Sequence, residues 1–208
     1  MLPGAARASD GDSGLSWGTS ATFAGGAATA FLLHESCHAA ANFAFGNTPH
    51  IESVRFLGIV PFFAVSPDIS CPGGRCVDRD GKPFGAGQRG LFTILTAGIQ
   101  CQHVEDEIIL TGEPSLRAAD APFRKGMLAF NTLSSIAYVV ANWASLEPSA
   151  GDLRGLYRDT STPRTAMNVL VLGVAALDLS RYFFPDVPAL AWASRIAKVA
   201  VTGLTFEL

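Results

Sequence analysis

The chain has 208 residues, 49% of them hydrophobic and only 16% charged, with a net charge of -3 and a mean hydropathy of +0.29. Ordinary soluble domains carry about 25% charged residues, so the balance leans toward a membrane. No basic block and no basic run interleaved with aromatics is present, which excludes nucleic acid as a partner. Residues 1–15 are small and polar and lack the apolar core of a secretory signal. They read as a disordered arm ahead of one domain over residues 16–208.

The first element predicted is a long apolar helix over residues 16–45, and it carries the most informative pattern in the chain, His34-Glu35-Ser36-Cys37-His38. Two histidines four apart on a helix lie about 6 Å apart along the axis and leave the same face. Both imidazoles can then reach one Zn2+ at about 2.0–2.1 Å. Glu35 follows the first histidine and can act as general base toward a water at the metal. Burying His, Glu and His in an apolar helix costs several kcal/mol unless they find partners, on the order of 2–7 kcal/mol per polar group, and this favours a purpose for them.

Gly46-Asn47-Thr48-Pro49 stops the helix. Residues 50–65 are rich in β-branched and aromatic types broken by Gly58 and Pro61, the mark of short strands with edge character. An extended substrate could pair with their edge, and Phe56, Ile59 and Phe62 are the candidates for that substrate-strand region. Residues 66–88, rich in Pro, Gly, Asp and Arg, read as an exposed loop. A second apolar segment spans residues 89–110 and turns polar at His103, Glu105, Asp106 and Glu107. Residues 126–145 form the clearest membrane candidate, about twenty residues without a charge, with Asn131, Ser135, Tyr138 and Asn142 on one stripe that faces a bundle interior. A charged linker follows over residues 147–164. Residues 165–177 are apolar but short for a span and end at Asp178. In the last segment, residues 188–206, Arg195 and Lys198 snorkel from a span or from an interfacial helix. The fold expected is therefore mainly α, a polytopic membrane helix bundle of three to five membrane helices with a short β-rich insertion after the first. Loop basic residues alternate too evenly to fix orientation and weakly favour the first loop inside.

A catalytic zinc takes three protein ligands and keeps one position for water. Asp178, an acid at the end of an apolar run, is one candidate, with an i,i+3 ion pair to Arg181 as its alternative. Gln100, His103 and Glu107 share one helical stripe and form a second candidate, as ligands or as the groups behind them; a solvated helix end is the alternative there. Of the four cysteines, Cys37 and Cys101 fall in predicted helices and read as packed small side chains. Cys71 and Cys76 flank a short loop and are a disulfide or two thiols according to compartment.

The segment FLLHESCHAAANFAFG, the β-rich stretch after it and the later Thr96-Ala97-Gly98-Ile99-Gln100 helix resemble the site-2 protease family of intramembrane zinc metalloproteases. The resemblance implies a pentad helix within the bilayer, His34 and His38 as zinc ligands, Glu35 as base, Leu177-Asp178 as the third-ligand site, and membrane proteins or peptides as substrates. Asp178 is followed by Leu179 where the family pattern has glycine. Two other functions remain open at this level: a membrane metal-binding or regulatory protein without proteolysis, and a soluble zincin-like protein whose apolar helices form an ordinary core. A di-iron oxygenase is set aside, because four histidines are too few.

Overall fold

The computed structural model describes residues 16–56, 59–146, 151–160 and 162–207. The expected N-terminal arm and Gly58 lie outside the described residues. The fold is mainly α, with six helices and four short strands among the described residues. Helix α1, Trp17–Ala44, starts where Ser16 Oγ accepts the Thr19 N–H at 3.1 Å, satisfying one of the amides that the first helical turn leaves unpaired. Strands β1, His50–Phe56, and β2, Val60–Ser66, follow as an antiparallel hairpin with His50 opposite Ser66 and Phe56 opposite Val60.

The next segment was expected to be an exposed loop, and the structure corrects that reading. Strands β3, Ile69–Ser70, and β4, Val77–Asp78, pair antiparallel around a Cys71–Cys76 disulfide. Ile69, Cys71 and Cys76 are buried and join the main apolar core. Once Cys71 and Cys76 are covalently joined, small apolar groups in an otherwise polar loop have a place to pack.

Helix α2, Gly87–Gly112, supplies much of that core through Leu91, Phe92, Ile94, Leu95 and Ile99. Helix α3, Pro122–Trp143, begins with proline, whose fixed φ suits a first turn. Asn131, Ser135 and Asn142 are buried on its inward stripe, while Leu133 and Val140 face out. Helices α1 and α3 run parallel: Phe31 meets Phe130 at 5.9 Å and His34 meets Tyr138 further along at 6.5 Å. Their approach is closest at a reciprocal pair of glycines. A Cβ on Gly26 would overlap the Phe123 carbonyl, and a Cβ on Gly126 would overlap the Phe23 carbonyl, the small-residue crossing that lets backbones touch.

The stretch read as a charged linker contains a helix of its own, α4, Asp152–Asp159. Helices α5, Arg164–Phe183, and α6, Pro188–Glu207, complete the fold. Among the described residues only α5 is long and apolar enough to cross a membrane by length and average hydropathy; three to five such helices were expected. Interior polar residues lower the average of the others. Arg195 and Lys198 do not snorkel outward: both reach Glu107, at 2.8 and 3.3 Å. Cys37 and Cys101, expected as packed thiols, form a second disulfide that ties α1 to α2.

Candidate metal centre

His34 and His38 lie one turn apart on α1, and both are buried. The acidic partner that joins them is Asp152, the first residue of α4. His34 Nε2 lies 3.1 Å from Asp152 Oδ2, His38 Nε2 lies 3.2 Å from Asp152 Oδ1, and the two Nε2 atoms are 3.2 Å apart. Ligand atoms around a tetrahedral zinc with bonds of about 2.0–2.1 Å sit about 3.3 Å from one another. The three groups are therefore spaced as a zinc ligand set, and among the described residues theirs is the one group of three such side chains that converges in this way.

The surroundings fit a metal as well. His38 Nδ1–H donates to the Ile94 carbonyl at 2.8 Å, which fixes the ring and aims Nε2 at Asp152, the nitrogen a metal would take from the neutral ring. Gly98 of α2 faces both rings: a Cβ there would fall within 2.5 Å of His34 Nε2 and closer still to His38 Nε2. Glycine at this position keeps open the space in front of the ligand atoms. Burial pushes the Asp152 carboxyl up, and the adjacent His38 and His34 imidazoles more than reverse this, holding it below the usual carboxylate range. Tyr138 stacks on His34 with an interplanar angle of 11°. The Cys37–Cys101 disulfide fastens α1 to α2 between the two ligands in sequence and one turn past Gly98.

Glu35 is buried, and its Oε2 accepts the Val65 N–H of β2 at 2.7 Å. The pentad, the hairpin and α4 thus meet at one place. Two spaces flank it. A polar cavity of about 140 Å3 is lined by His38, Asp152, Glu52, Ser66, Arg158 and Asp159. An apolar groove of about 640 Å3 runs between α1, α3 and β2, with Phe31, Phe62, Phe130 and Tyr138 on its walls. Phe62 meets Phe31 edge to face at 6.3 Å. Ile59 is exposed in the hairpin turn, and Phe56 closes the ladder opposite Val60.

The other candidate ligands stand elsewhere. Asp178 does not join the histidines; the acid that does is Asp152. The Asp178 Oδ1 accepts from Ser194 Oγ at 2.6 Å and from Lys198 Nζ at 2.9 Å, with Arg181 Nη1 at 3.7 Å. The i,i+3 pair with Arg181 is therefore present, within a larger cluster. Glu107 anchors that cluster through Arg181 at 2.5 Å, Arg195 and Lys198. His103 is buried nearby, and Gln100 bonds Thr202 at 2.9 Å. Glu107 lies nine residues past Gly98 on α2, about 13 Å along the axis, too far to share a first coordination sphere with the pentad.

Sequence reasoning missed Asp152 because it lies 118 positions from His34 within a run that reads as solvated linker. The signals that could have found it are faint: an acid opening a short amphipathic stretch, with Leu153 and Leu156 three apart behind it. The chain matches no model of a known protein family, no curated protein and no solved structure.

Proposed function

We propose that this protein is a membrane-embedded zinc metallopeptidase of site-2 protease type, built as a polytopic helix bundle, that hydrolyses peptide bonds of membrane-associated proteins or peptides. The observation that carries the reading is the convergence of His34, His38 and Asp152 at zinc-ligand spacing, with Gly98 leaving room before them and Glu35 beside them. Zinc held there would polarise a substrate carbonyl and acidify a water. Glu35 takes the proton of the attacking water and delivers it to the leaving amine as the C–N bond breaks. The His38–Ile94 hydrogen bond holds one of the three ligands in place, and an extended chain passes along β2 beside them.

The membrane part of the proposal rests on polarity. The outward faces of the long helices carry Leu32, Leu33, Val104, Ile108, Leu133, Val140, Val169, Trp192, Ile196 and Val199, all exposed. Asn42, Gln102, Asp106, Asn131, Asn142, Asn168 and Asp178 are buried. Apolar groups outside and polar groups inside suit a lipid solvent better than water.

The test is Glu35→Gln in purified full-length protein. It is expected to keep stoichiometric zinc and to lose at least 100-fold in cleavage of a transmembrane peptide substrate. Undiminished cleavage would remove Glu35 from the mechanism. Wild type that binds zinc and cleaves nothing would favour the non-proteolytic metal-binding alternative.

A further inference from the structure

In an antiparallel pair, alternate residues turn their N–H and C=O toward the partner strand and those between turn them outward. Val65 gives its N–H to Glu35, so Val65 faces away from β1, as do Phe63 and Pro61 at the same parity, while Phe62 and Ala64 carry the ladder. Pro61 fits this assignment: its missing N–H falls on the outer edge, where the hairpin does not need it. The outer edge of β2 therefore ends on the carboxylate that the proposed reaction uses as its base, and each group occupies the other.

We infer that the Val65 amide is a shared docking group, held by Glu35 at rest and surrendered to a substrate that adds to β2 as a third strand. The inference rests on the metallopeptidase reading, takes over its extended substrate, and deepens it by naming the event that arms the base, the transfer of the Val65 amide from Glu35 to that substrate. A half-buried N–H that loses Glu35 must find another acceptor or cost about 1–3 kcal/mol. A backbone carbonyl in register on that edge supplies one, and Glu35 is then free to turn toward water. The groove beside β2, with Phe31, Phe62 and Tyr138, receives apolar side chains of the added strand. An amide too small to reach the edge leaves the base engaged, so the site discriminates against it by geometry.

The experiment follows hydrogen exchange at the Val65 amide in the full chain, zinc-loaded and zinc-free, with and without a blocked alternating Val-Ser decapeptide whose scissile positions are N-methylated on the face away from β2. Without peptide, Val65 in wild type is expected to exchange at least tenfold more slowly than in Glu35→Ala. Peptide is expected to restore protection in Glu35→Ala. The Val65→Pro variant loses no bond of the hairpin, because its amide points outward, and is expected to bind labelled peptide at least tenfold more weakly than wild type. Equal exchange in wild type and Glu35→Ala overturns the inference, and so does peptide binding that is absent or that leaves Val65 exchange unchanged. Should Val65→Pro not fold, the exchange comparison between wild type and Glu35→Ala decides alone. Metal content of the same samples reports separately on the metallopeptidase reading: wild type that takes up no zinc sinks that reading whatever Val65 does.

Discussion

Gly98 and Asp152 make opposite contributions to the same centre, one by having no side chain and the other by supplying a charge. Replacing Gly98 by alanine places a methyl where the ligand nitrogens converge, and the rings cannot retreat far because His38 is bonded to Ile94 and His34 lies against Tyr138. Gly98→Ala is expected to abolish stoichiometric zinc while leaving the helical content intact, as read by metal analysis and circular dichroism. Asp152→Asn is expected to weaken zinc binding by at least 100-fold, and Asp178→Asn is expected to leave it within about threefold. Competitive titration with a chelating dye checks both, and the reverse order would return the third ligand to Asp178. Zinc should also leave on acidification, since protons compete for the imidazole nitrogens. The pentad was legible because its chemistry sits within five consecutive residues. Asp178 drew attention as an acid in an apolar run; Arg181 on its own helix was the foreseen partner, but Lys198 and Ser194, which also meet its Oδ1, come from α6, where no local pattern reveals them.

At the scale of elements, α4 is the part that needs explanation. A helix of eight residues is marginal alone, yet it presents Asp152 at 3.1 and 3.2 Å from the two histidine rings. Leu153 and Leu156 are buried in the core, and Gly155 sits against Leu95. Its far side is held by a polar clamp: Asn142 Nδ2 donates to the Tyr157 hydroxyl at 3.0 Å, and Asn142 Oδ1 accepts from Arg164 at 2.8 Å and from Asn168 at 2.7 Å. Tyr157→Phe keeps the ring and removes the hydroxyl. It is expected to weaken zinc 10–100-fold without changing its stoichiometry at saturation, the range found for groups that orient metal ligands. The long helices and the hairpin were readable from apolar runs, the Gly46 to Pro49 stop and the β-branched stretch. Helix α4 was not, because its charged residues outnumber its apolar ones and only tertiary contacts reward its two leucines.

For the whole molecule, solvent is the governing question. A chain with polar groups inward and Leu, Val and Trp outward should stay with the membrane through an alkaline carbonate wash, and recovery in the wash would favour the soluble zincin-like alternative. The two disulfides bear on orientation. Disulfides persist in oxidising compartments, so in the proposed membrane setting the loop holding Cys71–Cys76 would face that side, against the weak leaning of the basic residues. Intact protein is expected to resist iodoacetamide when denatured without reductant and to take four groups after reduction; alkylation of Cys37 or Cys101 without reductant would refute the α1–α2 link. That link closes a span of 64 positions, worth about 4 kcal/mol on loop-closure entropy. Four cysteines permit three pairings, and nothing in the composition singles out Cys37 with Cys101, which is why both were read as packed thiols.

If the centre holds zinc, the same link sets an order on maturation. Cys37 stands next to His38 in sequence, so a newly made chain still carrying thiols offers a soft sulfur donor beside the imidazoles, and a copper or zinc ion arriving early would find a trap in place of a workshop. On the zinc reading, oxidation has to come before loading for the thiol not to compete for the ion. Biosynthesis under reducing conditions should therefore yield molecules charged with the wrong ion or the wrong number of ions, and adding oxidant afterwards should not rescue them until that ion is stripped.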